Sequence, residues 1–92
     1  MPQIIHDSTI DYSKVPVDYM VNPIRHYIEK RIPPGDFLTA IICNDLFKAT
    51  RHADKVNAKN LIAWVNFFYN EVPTIVWGSK KKMEDWLNDT MG

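Results

Sequence analysis

The chain has 92 residues, 46% of them apolar, which suits one domain with one core. Eleven basic residues balance eleven acidic ones, so the net charge of zero gives no support to a general electrostatic grip on nucleic acid. A single cysteine, Cys43, excludes an internal disulfide and a thiolate metal cage, and fits a reducing cytoplasm.

Residues 1–15 show no clear periodicity and read as an N-terminal arm of coil, with Ile4, Ile5, Ile10 and Tyr12 able to pack on the domain. The opening Met1-Pro2-Gln3-Ile4-Ile5-His6-Asp7 has neither a basic n-region nor a long apolar stretch, so no signal peptide is expected. Pro16 can open a helical turn, and Asn22-Pro23 repeats that signal with Asn as N-cap and Pro at the first helical position. The first helix is therefore either 17–31 with a proline kink or 23–31 after a short turn. Met20, Ile24, Tyr27, Ile28 and Ile32 supply its apolar stripe.

Ile32-Pro33-Pro34-Gly35-Asp36 is the clearest punctuation in the chain. Each proline pushes its predecessor out of helical backbone, Gly35 allows a reversal, and Asp36 can N-cap the next helix. The second helix is predicted over about 37–53, with Leu38, Ile41, Ile42, Leu46, Ala49 and Ala53 on one face. Asp54 is the next N-cap candidate, and a third helix is predicted over about 55–71. Its core face is Leu61, Trp64, Val65, Phe68, Tyr69 and Val72, and Pro73 lies just past its end. Thr74-Ile75-Val76-Trp77-Gly78 is a short apolar connector that could be extended, without an obvious partner strand. Ser79 then caps a last helix over about 80–88, with Met83, Trp86 and Leu87 facing inward, and the tail 89–92 is expected to fray. The longest apolar run, Phe37 to Cys43, is far shorter than a membrane span.

Four places could carry chemistry. Asn44 and Asp45 interrupt the apolar run of the second helix, where both residue types are poor helix formers. Either one bonds a loop backbone or a helix end and fixes the packing, or one lines a ligand or partner site. The polar side of that helix and its exit, Lys48, Arg51, His52, Asp54 and Asn57, is either a solvated face or a hold for phosphate or an acidic partner. Ser79-Lys80-Lys81-Lys82 puts three lysines at a helix N-terminus, where the dipole favours negative charge. A bound anion or simple solvation would relieve that conflict. Gly78-Ser79-Lys80 is not a P-loop, because the upstream glycine and the buried parallel strand are missing. Finally, Trp64, Phe67, Phe68 and Tyr69 fall within six positions and cannot all face one core. Trp64 or Phe67 is therefore expected at a subunit or partner interface, unless the N-terminal arm covers the far side of the helix.

No catalytic site is expected. His6, His26 and His52 have no metal-ligand spacing, Cys43 reads as an inert core thiol, and no nucleophile–base or paired-carboxylate pattern stands out. No cofactor or metal is expected either.

The run Ile32-Pro33-Pro34-Gly35-Asp36-Phe37-Leu38-Thr39-Ala40, then Asn44-Asp45-Leu46, Ala53-Asp54 and Asn57, resembles a group of short bacteriophage proteins. Tyr69-Asn70-Glu71-Val72-Pro73, Trp77-Gly78-Ser79 and Trp86 are similar to the same group. The resemblance covers roughly residues 20–88 and leaves out the N-terminal arm. It assigns no catalytic or binding residue. It implies a phage accessory product acting in the cytoplasm of the infected bacterium, a setting in which small proteins often antagonise host enzymes or defence systems.

The expected fold is all-α, a bundle or orthogonal array of about four helices, with 1–15 as arm and 16–92 as a single helical domain. The expected function is non-enzymatic: binding of a host protein or self-assembly as a homo-oligomer, in the service of counter-defence. The alternatives are a sponge for a nucleotide or other anionic small molecule, and a DNA-binding regulator. The Pro-Pro-Gly corner and zero net charge fit the last one poorly. No membrane partner is expected.

Overall fold

A computed structural model describes residues 10–88 of the chain. Those residues form six helices and no strand. They are α1 (Val21–Lys30), α2 (Asp36–Ile42), α3 (Leu46–His52), α4 (Lys55–Lys59), α5 (Leu61–Glu71) and α6 (Lys80–Asn88). Two short 3-10 turns, Tyr12–Lys14 and Asp18–Met20, lead into α1. The all-α expectation holds; the count of about four helices does not, because two of the predicted helices are each broken once.

The second predicted helix breaks at Cys43-Asn44-Asp45. Asn44 takes left-handed backbone, with φ of 61°. The amides of Cys43, Asn44 and Asp45 close back onto the carbonyls of Thr39, Ile41 and Ala40 at 2.8–3.0 Å, ending α2. Asp45 then N-caps α3, its carboxylate accepting from the Lys48 amide at 3.1 Å. The two residues expected inside a helix thus make a corner between two, and α2 and α3 pack against each other across it. The change of direction also turns Leu46 outward, from the expected core face to 61% exposure.

The third predicted helix breaks at Asn60, whose side-chain amide donates to the Val56 carbonyl at 2.8 Å. Asp54 caps the first piece as expected, accepting from the Asn57 amide at 2.7 Å. The Tyr19 hydroxyl also donates to Asp54, and this bond first, with the backbone cap, holds the Asp54 carboxyl below its ordinary value. At the first helix, Met20 and not Asn22 is the N-cap residue. Pro23 is accommodated because it still lies in the first turn, where an amide would have no helical partner. Asp36 is likewise the first residue of α2 rather than its cap, a place Gly35 takes with extended backbone.

α1 ends on Arg31, a non-glycine residue with φ of 55°. Left-handed backbone at such a residue costs about 1–2 kcal/mol. The Arg31 guanidinium lies 3.9 Å from the centre of the Trp86 ring, a contact that offsets part of that cost and ties α6 to the end of α1.

The core is aromatic. Trp64 is fully buried, with Phe37 at 6.0 Å, Phe67 at 6.1 Å and Phe68 at 6.3 Å between ring centres. Ile24, Tyr27 and Ile28 of α1, Leu38 and Ile42 of α2, and Met83 and Trp86 of α6 complete it. The polar ends of the large side chains are satisfied. Trp64 Nε1 donates to Asn57 Oδ1 at 2.9 Å, Trp86 Nε1 to the Tyr27 carbonyl at 2.9 Å, and the Tyr27 hydroxyl to the Val76 carbonyl at 2.7 Å. The connector 72–79 is a series of turns rather than an extended piece, with Val76 fully buried and the Gly78 amide bonded to the Ile42 carbonyl at 2.7 Å. Ile10 and Val15 are also buried, so this part of the expected arm belongs to the core. Residues 1–9 and 89–92, including Ile4, Ile5, His6 and the tail, lie outside the described residues.

Candidate functional site

Two surfaces compete for the role. The first is a cleft of about 530 Å³ between α2, α3 and α6. Spacing puts it there: Lys48 and His52 lie one helical turn apart on α3, and Lys80 opens α6 on the opposite wall. Ala40, Cys43, Met83 and Leu87 supply apolar lining, with Cys43 Sγ 3.5 Å from Met83 Sδ. Partial burial pushes the Cys43 thiol above its ordinary value, the opposite of what an activated nucleophile needs.

Four residues expected to bind a ligand therefore meet in this cleft: Asp45, Lys48, His52 and Lys80. Three carboxylates line it as well, Asp36, Asp45 and Glu84, and Asp36 lies 4.0 Å from His52 Nδ1. An anion entering would meet two lysines and three repulsive carboxylates, so the walls suit a ligand that carries both signs of charge or none.

The other expected polar residues are elsewhere. Arg51 is exposed, outside the cleft, and the expected polar side is interrupted because α3 stops at His52. Asn57 is 3% exposed and spends its side-chain oxygen on the Trp64 indole, which makes it a packing residue. The lysines of α6 diverge rather than converge. Lys81 pairs with Asp85 at 3.0 Å, Lys82 lies beside Gly78, and Lys80 faces the cleft. Ser79 caps the helix as expected, its hydroxyl accepting from the Lys82 amide at 3.1 Å. Among the described residues, no three His, Cys, Asp or Glu side chains gather into a metal-binding group.

The second surface is apolar, and it corrects the expectation at Trp64 and Phe67. Both are buried, at 0% and 2% exposure, in the chain's own core, where Phe37 of α2 meets the Trp64 ring. The exposed large apolar residues of α5 are Ile62 at 78%, Tyr69 at 76% and Val65 at 52%. Their spacing of three and four puts them on one flank of the helix. Across a shallow groove stands the start of α3, where Leu46 lines the same groove as Val65, Leu61, Ile41 and Trp77. Phe47, next in the chain, is 82% exposed.

The signal for this face was present in the aromatic crowding of α5, read with the wrong residues turned outward. The break at Asn60 decides the matter. Trp64 sits one turn into the new helix, and its ring must point at Asn57 to satisfy its N–H. That fixes the rotation of α5 and places Val65 and Tyr69, expected in the core, on the outside.

No helix among the described residues is long and apolar enough to cross a membrane. No protein-family model matches the chain, and no significant match was found among curated proteins or solved structures.

Proposed function

We propose that this chain is a non-enzymatic binding protein that works through the apolar face of α3 and α5. The observation that carries the reading is the set of large apolar side chains left in solvent there: Phe47, Leu46, Ile62, Val65 and Tyr69. Single exposed apolar residues are ordinary, but Leu46 and Val65 on one groove, with Ile62 and Tyr69 on the same flank of α5 and Phe47 next to Leu46 in the chain, are the mark of a recognition surface. The raised thiol of Cys43 and the mixed charge of the cleft offer no comparable support for catalysis.

The resemblance to short phage proteins sets the context of the proposal. In it the chain is an accessory product in the infected bacterium, and the face engages a host protein or another copy of the chain, to the cost of a host defence. A pull-down from bacterial lysate, infected and uninfected, tests this with the native chain beside Ile62→Asp and Tyr69→Asp. Both substitutions fall on exposed positions and leave the fold intact. The native chain is expected to associate, with itself or a lysate protein, and both variants to lose that association. Association that survives both changes, or none at all, sinks the proposal.

A further inference from the structure

We propose that the cleft between α2, α3 and α6 binds a short zwitterionic peptide, with the free carboxylate of the peptide at Lys48 and Lys80 and its free ammonium at Asp36. The proposal stands apart from the reading of the α3/α5 face. It starts from how the cleft is built. Each wall is one regular stripe of a helix: Asp36 and Ala40 of α2, Lys48 and His52 of α3, and Lys80 and Glu84 of α6 all stand four apart. Whole helix faces therefore enclose its roughly 530 Å³, a volume within the range of small-molecule sites.

The charges of these walls are left open. Three pairs of opposite charge stand four apart on the helices, and two of them close, Arg25 on Glu29 and Lys81 on Asp85, both at 3.0 Å. The third, Lys80 and Glu84, is the pair on the cleft, and it forms no ion pair; neither does Lys48 on the facing wall. Between these groups lie the apolar Ala40, Met83 and Leu87.

The open charges also have a direction. Asp36 and Cys43 lie two helical turns apart, which is about 10 Å. Asp36, with its side chain 85% exposed, marks one end, 4.0 Å from His52 at the close of α3. Cys43 marks the other end, at the corner. Burial raises its thiol, and the charges of Lys80 and Lys48 oppose that rise, so both lysines stand near it. Asp45 is at this end too, but its carboxylate is turned to the Lys48 amide at 3.1 Å, which leaves Glu84 as the acid facing two lysines. Carboxylate and ammonium groups about 10 Å apart, the span of three extended residues, reach both ends across the apolar middle. A single amino acid carries both charges on one carbon and cannot.

The probe is the tripeptide alanyl-leucyl-alanine, titrated into the full chain and followed by backbone amide shifts in heteronuclear NMR. The expected result is saturable shifts around Cys43, Lys48 and Lys80, with a dissociation constant on the order of a millimolar, as suits a small ligand in an open cleft. The N-acetyl form and the C-terminal amide are each expected to bind about threefold to fivefold more weakly, the scale of one exposed ion pair. Lys80→Gln should weaken the free peptide by a similar factor and leave the C-terminal amide unchanged, and Asp36→Asn should do the same for the free peptide and spare the N-acetyl form. Lys81→Gln, on the outer pair of α6, should change neither. Circular dichroism checks that the variants keep their helices. Absence of shifts at about ten times that millimolar concentration overturns the proposal. So does binding that neither cap weakens, a capped form that binds tighter than the free peptide, or loss in Lys80→Gln and Asp36→Asn that is blind to which terminus is capped.

Discussion

Asn57 shows how one side chain settles a larger arrangement. It is a polar residue on a five-residue helix, 3% exposed, and its oxygen accepts the indole N–H of Trp64. Asn57→Leu keeps the volume but leaves that N–H buried without an acceptor. The expected loss is about 1–3 kcal/mol, the cost of an unsatisfied buried donor. Urea denaturation measures it, and Trp64→Phe in the same background removes the orphaned donor, so the two changes together should cost less than their sum. A full sum would mean that the bond does not orient the ring. Nothing in the residue pattern marks Asn57 as a core residue. It reads as part of a polar helix exit, and the indole that needs it lies seven positions away, across a helix break.

The helices divide according to how local their causes are. The starts at Asp54 and Ser79, the stop after Glu71 and the whole of α6 follow from caps and prolines close in sequence, and they fall where they were expected. The breaks at Asn44 and Asn60 were missed because the apolar spacing continues through both. At Asn44 the competing cause is visible afterwards: an asparagine that tolerates left-handed backbone stands next to an aspartate that caps. If this corner is what separates α2 from α3, Asn44→Gly should stay within about 0.5 kcal/mol of native, while Asn44→Val should lose about 1–2 kcal/mol. Equal midpoints for the two variants in a thermal melt would show that the backbone there carries no such demand. The same miss displaced the site. Once α2 and α3 are separate, Lys48 and His52 face α6 across a cleft, while Leu46 and Phe47 open onto solvent.

At the scale of the molecule, the two concave surfaces differ in lining. Ionisable side chains are prominent in the α2/α3/α6 cleft, whereas the α3/α5 groove is lined mostly by apolar ones, with Asn44 and Asp45 at the corner that the two share. Composition gave no hint of this partition, because balanced totals hide how charges are distributed in space. It also explains how a zero-charge protein can present a selective surface, with the selectivity coming from shape and apolar contact.

The three indoles of the structure have a practical consequence. Trp64 answers to the joint between α4 and α5 through Asn57, Trp77 to the connector through the Val72 carbonyl, and Trp86 to the contact of α6 with α1 through the Tyr27 carbonyl. Replacing two of the three with phenylalanine turns the remaining emission into a local gauge of one junction. Since all three rings sit in or against one continuous core, their fluorescence transitions in urea should coincide. A Trp86 signal that moves first would instead mark α6 as a cooperative unit of its own, detaching while the aromatic centre stays closed.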